Sequence, residues 1–306
     1  MHLPSVVLTD LWGIHSPVER TTLGVSRTTW RVAKGFWLTR CGNERGEAFR
    51  RECSLLHALG ETVKADPGLL LMVPSLIPTT SGDVVSMHSG FLWRLTRNID
   101  GLHPSANDPA TYDLMVNVLL RLHKAFDLIS NPCLICPDIL GCVRDRLSEL
   151  PNTLSRSSFT HKERDILHEA ANWLSPRLDR LAIFPTRVVH GDWTPLNVLI
   201  RRDGWAGILD FEACGCGPAV LDFANMCSTL LMWSRLDNIS ERIAALVSSF
   251  EEKTGVPIGL DIVHIAMLTH WFGHYFDWRE RESTDENTEV VRRLLGRFET
   301  ALHFAA

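Results

Sequence analysis

The sequence lacks an excess of positive charge: 31 Lys and Arg stand against 36 Asp and Glu, for a formal net charge of −5. A general nucleic-acid binder is ordinarily basic, so no nucleic-acid partner is expected. Long apolar runs are missing too. The longest, Leu69 to Pro78, is too short for a bilayer and contains prolines, so no membrane partner is expected either. The opening stretch MHLPSVVLTDLWG has neither a basic n-region nor a long apolar core, which favours a cytoplasmic location. Eight cysteines are present, but Cys133-x-x-Cys136 has no second pair at a similar short spacing. That speaks against zinc and leaves reduced thiols in a reducing compartment. Repeats, low-complexity tracts and long linkers are absent. What is left is 306 residues, 45% hydrophobic and 22% charged, a globular composition with length enough for two lobes.

The informative stretch runs from Val188 to Asn225. It holds His190-Gly191-Asp192, then Asn197 five residues after the Asp, then Asp210-Phe211-Glu212. Between Asn197 and Asp210 lie two short apolar runs separated by Arg201-Arg202-Asp203-Gly204. An Asp-Gly turn between apolar runs predicts a hairpin over 197–209. Such a hairpin puts Asn197 near its start and Asp210 near its end, hence at one end together. An amide oxygen and a carboxylate there, with a separate carboxylate at Asp192, suit a hard cation plus a base. Loop carboxylates capping helices, with Asn197 in a turn, are the competing explanation.

The interval from Asp192 to Asn197 is the one found in protein kinases, where an Asp-Phe-Gly segment follows. Here the segment is Asp-Phe-Glu, Gly191 stands after the His in place of Arg, and Asp222-Phe-Ala follows. In these residues the chain resembles the aminoglycoside phosphotransferase and choline kinase-like superfamily, which also includes homoserine, fructosamine and methylthioribose kinases. The resemblance implies Asp192 as the catalytic residue that positions and deprotonates an acceptor hydroxyl. It implies Asn197 and Asp210 as Mg²⁺ ligands, and His190 and Asp222 as structural residues of the loop, Asp222 through backbone donors.

Outside that stretch the pattern is weaker. β-branched and aromatic residues alternate between Thr21 and Arg40, which predicts a three-stranded antiparallel meander. The family folds the first turn over the nucleotide phosphates. Gly24 is its only glycine here, with Ser26, Arg27 and Thr28 as further phosphate donors and an ordinary hairpin turn as the alternative. Arg40, at the end of the third strand, takes the place of the kinase lysine in the resemblance, and Glu52 that of its helix partner. Phe91 to Thr96 reads as the last strand of the small lobe. Leu95, Thr96, Arg97 and Asn98 are the implied hinge contact for the nucleobase. Leu114 to Leu128 is an amphipathic helix in which His123 fits a packed core position. Thr160 with Glu163 spells a capping box. The tail from Ala224 is helical. In it His270, His274 and Asp277 share a helical face, with Trp271, Tyr275 and Trp278 alongside. The family builds its acceptor wall there, and aromatics with an Asp would suit a cationic amine. A core face is the alternative.

The expected fold is α+β, a two-lobed protein-kinase-like fold. Residues 1–97 would form a small antiparallel-sheet N-lobe that binds nucleotide, and 98–306 a mostly helical C-lobe with the catalytic hairpin and the acceptor region. The expected activity is ATP- or GTP-dependent and Mg²⁺-dependent transfer of the γ-phosphoryl group to a hydroxyl of an aminoglycoside-like antibiotic or of a small metabolite such as homoserine or an amino alcohol. A pseudokinase interaction module is the first alternative, kept open by the poor glycine loop. A protein kinase is the second, weakened because no Ala-Pro-Glu segment or activation loop follows Asp210.

Overall fold

The computed structural model describes residues 3–21, 27–33, 35–42, 45–129, 136–155, 159–279 and 285–304. Gly24, Ser26 and Cys133, and the side chain of Trp278, lie outside the described residues. In chain order the elements are α1 (Leu3–Trp12), β1 (Val18–Arg20), β2 (Thr28–Val32), β3 (Phe36–Cys41), α2 (Gly46–Ala65), β4 (Leu71–Met72), β5 (Leu76–Ile77), β6 (Ser86–His88) and β7 (Phe91–Arg97). There follow α3 (Pro109–Asp127), α4 (Ile139–Leu154), α5 (His161–Leu174), β8 (Thr186–Val189), β9 (Val198–Ile200), β10 (Ala206–Ile208) and β11 (Gly215–Pro218). Four helices close the chain: α6 (Val220–Trp233), α7 (Ile239–Thr254), α8 (Gly259–Arg279) and α9 (Asp285–His303).

Two compact units emerge, and the chain crosses between them more than once. The first comprises Met1–His103, Leu128–Ile135 and Asn197–Glu212. Its main sheet runs β1-β2-β3-β7-β5, with β6 also on β7, all antiparallel. Strand side chains alternate between faces, and each face has its own helix. Leu38, Trp93 and Leu95 meet Val7, Leu8 and Trp12 of α1 in one apolar cluster. Cys41 and Leu92, one register step away, meet Phe49 and Cys53 of α2 in another. Phe49, Glu52, Cys53, Leu56 and Leu59 recur at helical spacing and are all buried, so α2 carries one charged residue on its apolar stripe. The predicted hairpin forms: β9 and β10 pair antiparallel from Ile200↔Ala206 to Val198↔Ile208, and β4 adds alongside β10 in parallel.

The second unit comprises Pro104–Asp127, Cys136–Leu196 and Ala213–Ala306, and is mostly helical. Its two-stranded ladder joins β8 to β11, from Val189↔Gly215 to Thr186↔Pro218. The predicted capping box is present at the start of α5, and the Tyr275 hydroxyl of α8 donates to the same Glu163 carboxylate at 2.8 Å. Helix α6 is buried from Val220 through Leu230, so no face of it needs to be polar. No single helix among the described residues is long and apolar enough to cross a membrane.

Candidate active site

In the second unit the segment His190-Gly191-Asp192 leaves the end of β8 and is held by one carboxylate. Asp222, in the first turn of α6, is fully buried. It accepts the backbone N–H of His190 and that of Gly191, each at 2.8 Å, and lies 2.8 Å from Nε2 of the buried His123. Burial alone would push the Asp222 carboxyl up. The His123 hydrogen bond and charge, the His190 charge and the backbone donor outweigh it and hold the carboxyl below its ordinary value. Gly191 has a φ of +78°, and a Cβ there would run into the carbonyl oxygen of Ala213. Only glycine fits. The Asp192 backbone N–H lies 3.3 Å from Nδ1 of His190, a fully buried ring set edge-on to Trp193. The loop is thereby fixed through its backbone, and the Asp192 side chain stands half-buried at its end.

In the first unit the hairpin does what its sequence predicts. The Leu209 N–H donates to the Asn197 carbonyl at 2.9 Å, so Asp210 follows directly from the residue paired with Asn197. Asn197 is buried, whereas Asp210 is exposed and has a left-handed φ of 56°. A non-glycine residue held in that region is uncommon and marks a constrained position. Two oxygen-bearing side chains at one hairpin end fit a hard divalent cation whose other ligands are phosphate and water.

Behind Asp210 runs a chain of charges that the sequence does not advertise. Glu212 pairs with Arg45 and lies 3.5 Å from Nε of Arg27. Arg27 also pairs with Glu52, which is held from the other side by Arg94 at 3.0 Å. Glu52 and both its arginines are nearly buried, and the two guanidinium groups lie over the Phe49 ring at 4.9 Å. Burial would lower Arg27 and Arg94, but Glu52, with Glu212 beside Arg27 and Cys53 beside Arg94, more than compensates and both stay raised.

The expected bond between Arg40 and Glu52 is therefore corrected. Glu52 takes Arg94 of β7 and Arg27 from the start of β2, because α2 packs on the face that carries Cys41 and Leu92. Arg40 is on the opposite face with Leu38. Its guanidinium stacks 4.4 Å from the Phe91 ring and lies 3.4 Å from the Thr28 hydroxyl. At the implied hinge the backbone is partly engaged. The Arg97 N–H donates to Ser75 at 2.9 Å and that of Asn98 to Gly35 at 2.7 Å. Leu95 and Thr96 are paired on both sides, to β3 and to β5. The N–H groups of Arg97 and Asn98 are thus taken by the turns before β5 and β3.

On α8 the expected acceptor face splits. The His270 and His274 rings stack at 5.3 Å, and Trp271 is edge-on to His270 at 4.9 Å. Burial and His274 push the His270 imidazole down, while Asp192 and Asp222 pull it up. Asp277 does not join them: it pairs with Arg146 of α4 at 2.5 Å, and Arg146 also donates to the Gly273 carbonyl. Tyr275 is buried in the core. Nor is Trp271 bare for an amine, since the guanidinium of Arg297 lies over its ring. Arg94, Glu212, Trp233 and Arg297 were not expected. A buried Glu on the apolar stripe of α2 was the one signal in the sequence that charged partners must exist.

Solved structures share this architecture. The GDP and kanamycin complex of APH(2")-IIia superposes with a TM-score of 0.68 at 12% identity, covering 96% of this chain and 98% of that one. Amicoumacin kinase hAmiN, in complex with AMP-PNP, Ca²⁺ and Ami, gives 0.68 at 12% identity, with 97% and 92% covered. A microcompartment-associated aminopropanol kinase gives 0.60 at 12% identity, with 98% and 94% covered. At such identities the likeness is one of fold, the kinase-like α+β fold expected above. No curated protein matches the sequence. The profile of the phosphotransferase enzyme family matches residues 19–251, more than two thirds of the chain, and this protein belongs to that family.

Proposed function

We propose that the protein is a small-molecule kinase that transfers the γ-phosphoryl group of ATP, with GTP as the alternative donor, to the hydroxyl of a small acceptor. The observation that carries this reading is the pairing of Leu209 with Asn197, which puts Asn197 and Asp210 at the same end of the hairpin. Five residues earlier in the chain, Asp192 stands on a loop braced by Asp222. Asn197 and Asp210 would hold Mg²⁺. When bound, the ion supplies positive charge against the phosphate oxygens. Asp192 would orient the acceptor hydroxyl and take its proton. The acceptor oxygen then bonds to the γ-phosphorus as the bond to the β–γ bridging oxygen breaks, and the nucleoside diphosphate leaves. In a loose transition state the gain is mostly positioning and charge neutralisation, so an ordinary carboxylate serves at Asp192.

Neighbours named as a kanamycin complex, an amicoumacin kinase and an aminopropanol kinase support a small hydroxyl-bearing acceptor as a class. The intact Asp192, Asn197 and Asp210 favour turnover over a pseudokinase. The test is a pair of titrations on Asp210→Ala. Mg-ATP binding should weaken on the order of tenfold or more, and metal-free ATP binding much less. Equal losses in the two titrations, or no nucleotide binding by the wild type, would overturn the reading.

A further inference from the structure

In the second unit one arginine of α9 is close enough to Asp192 to feel its charge. Arg297 of α9 is half-buried, with its guanidinium 4.7 Å from the ring centroid of Trp233 at the end of α6 and 5.7 Å from that of Trp271 on α8. Among the described residues it makes no hydrogen bond and no ion pair. Stacking engages the faces of a guanidinium plane and leaves its edge, with a fork of N–H donors, unengaged. Burial and the neighbouring Arg293 push Arg297 down, and Asp192 pulls it up. His270 feels Asp192 as well. The buried indole N–H of Trp271 is a further donor without an acceptor.

An amine in this place would meet the Arg297 guanidinium, which already lies over the indole rings that could attract it. An anion would find a desolvated donor fork in need of a partner, which is where a bidentate carboxylate contact is strongest. We propose that the acceptor carries an anionic group, a carboxylate in the simplest case, held by Arg297 while the hydroxyl lies at Asp192. The proposal rests on the phosphotransferase role of Asp192 and narrows the acceptor to hydroxy acids over amino alcohols and aminoglycosides.

The test uses matched probes in which one carboxylate replaces one amine: a set of hydroxy acids and the corresponding amino alcohols, plus kanamycin. Binding to the Mg-nucleotide complex is followed by calorimetry and turnover by release of nucleoside diphosphate. Hydroxy acids should bind and turn over. Arg297→Gln should raise the acceptor KM on the order of tenfold or more, Arg297→Lys less, and neither should change the nucleotide KM. If Arg297→Gln does not fold, Arg293→Glu on the exposed side of α9 should act in the same direction. Turnover confined to amines, or no binding of any hydroxy acid by protein that binds Mg-nucleotide, overturns the proposal and leaves the kinase reading standing. Failure to bind Mg-nucleotide overturns the kinase reading itself, and this proposal with it.

Discussion

His190-Gly191-Asp192 and Asp210-Phe211-Glu212 are both short acidic segments, yet they are held by opposite means. The first hangs on one buried carboxylate, Asp222, which takes two backbone donors at 2.8 Å, and on a glycine that no other residue can replace. The second ends in Glu212, the partly exposed member of a chain that runs Arg45, Glu212, Arg27, Glu52, Arg94. Buried backbone hydrogen bonds fix a loop directly and are little affected by salt. A chain of side-chain charges fixes orientation over a longer path, but its exposed end is screened. The arrangement suits the proposed roles. A base must hold one geometry, whereas a metal ligand can share its work with phosphate and water.

The largest effect should come from the segment held by backbone. Asp192→Asn is expected to lower kcat on the order of a hundredfold or more while Mg-nucleotide binding stays near the wild-type value, as steady-state kinetics with parallel nucleotide titration would reveal. Full retention of activity would remove Asp192 from the chemistry. Next comes the brace. Asp222→Ala leaves two backbone donors and His123 without their acceptor, and should cost about 3–5 kcal/mol in chemical denaturation. The sign of its pH dependence follows from the depressed carboxyl. Stability from Asp222 is fully present above its ordinary value of 3.8 and is lost as pH falls through the lower folded value. The stability gap between the wild type and Asp222→Asn should therefore narrow below about pH 4. A gap that widens on acidification would mean the brace is not ionised.

What the sequence revealed tracks how local each interaction is. The hairpin was legible because an Asp-Gly turn and two apolar runs lie within one short stretch, and the capping box of α5 because both its partners lie within one turn. The bond between Asp222 and the loop spans about thirty residues and was readable only through family resemblance. The charge chain was not legible. Arg94 and Glu52 are brought together by the register of β3 on β7 and by which face α2 covers. One register step decides whether Arg40 or its neighbours face α2, and strand alternation alone does not fix that choice. The place of Arg297 was missed for a similar reason. His270 and Trp271 announce aromatics, but that Arg297 of α9 covers the ring depends on how α9 docks on α8.

The sharpest way to break the comparison is a gradient along the charge chain. Glu52 is almost fully buried between two arginines, whereas Glu212 is more accessible and its partner Arg45 more accessible still. Glu52→Gln leaves Arg94 desolvated with no counter-charge and Arg27 with Glu212 alone, which costs more than the pair ever contributed. Glu212→Gln leaves Arg27 with Glu52 and lets Arg45 turn to water. The first substitution should lose about 3 kcal/mol or more in denaturant unfolding, and the second about 1 kcal/mol or less, shrinking further in high salt. Glu212→Gln should still weaken Mg-nucleotide binding severalfold, because the residue lies two positions from Asp210 and its N–H is 3.5 Å from that carboxylate. If the two variants lose equal stability and neither responds to salt, the chain is not graded by burial. Asp210 would then be held by the hairpin backbone alone, in the same manner as Asp192.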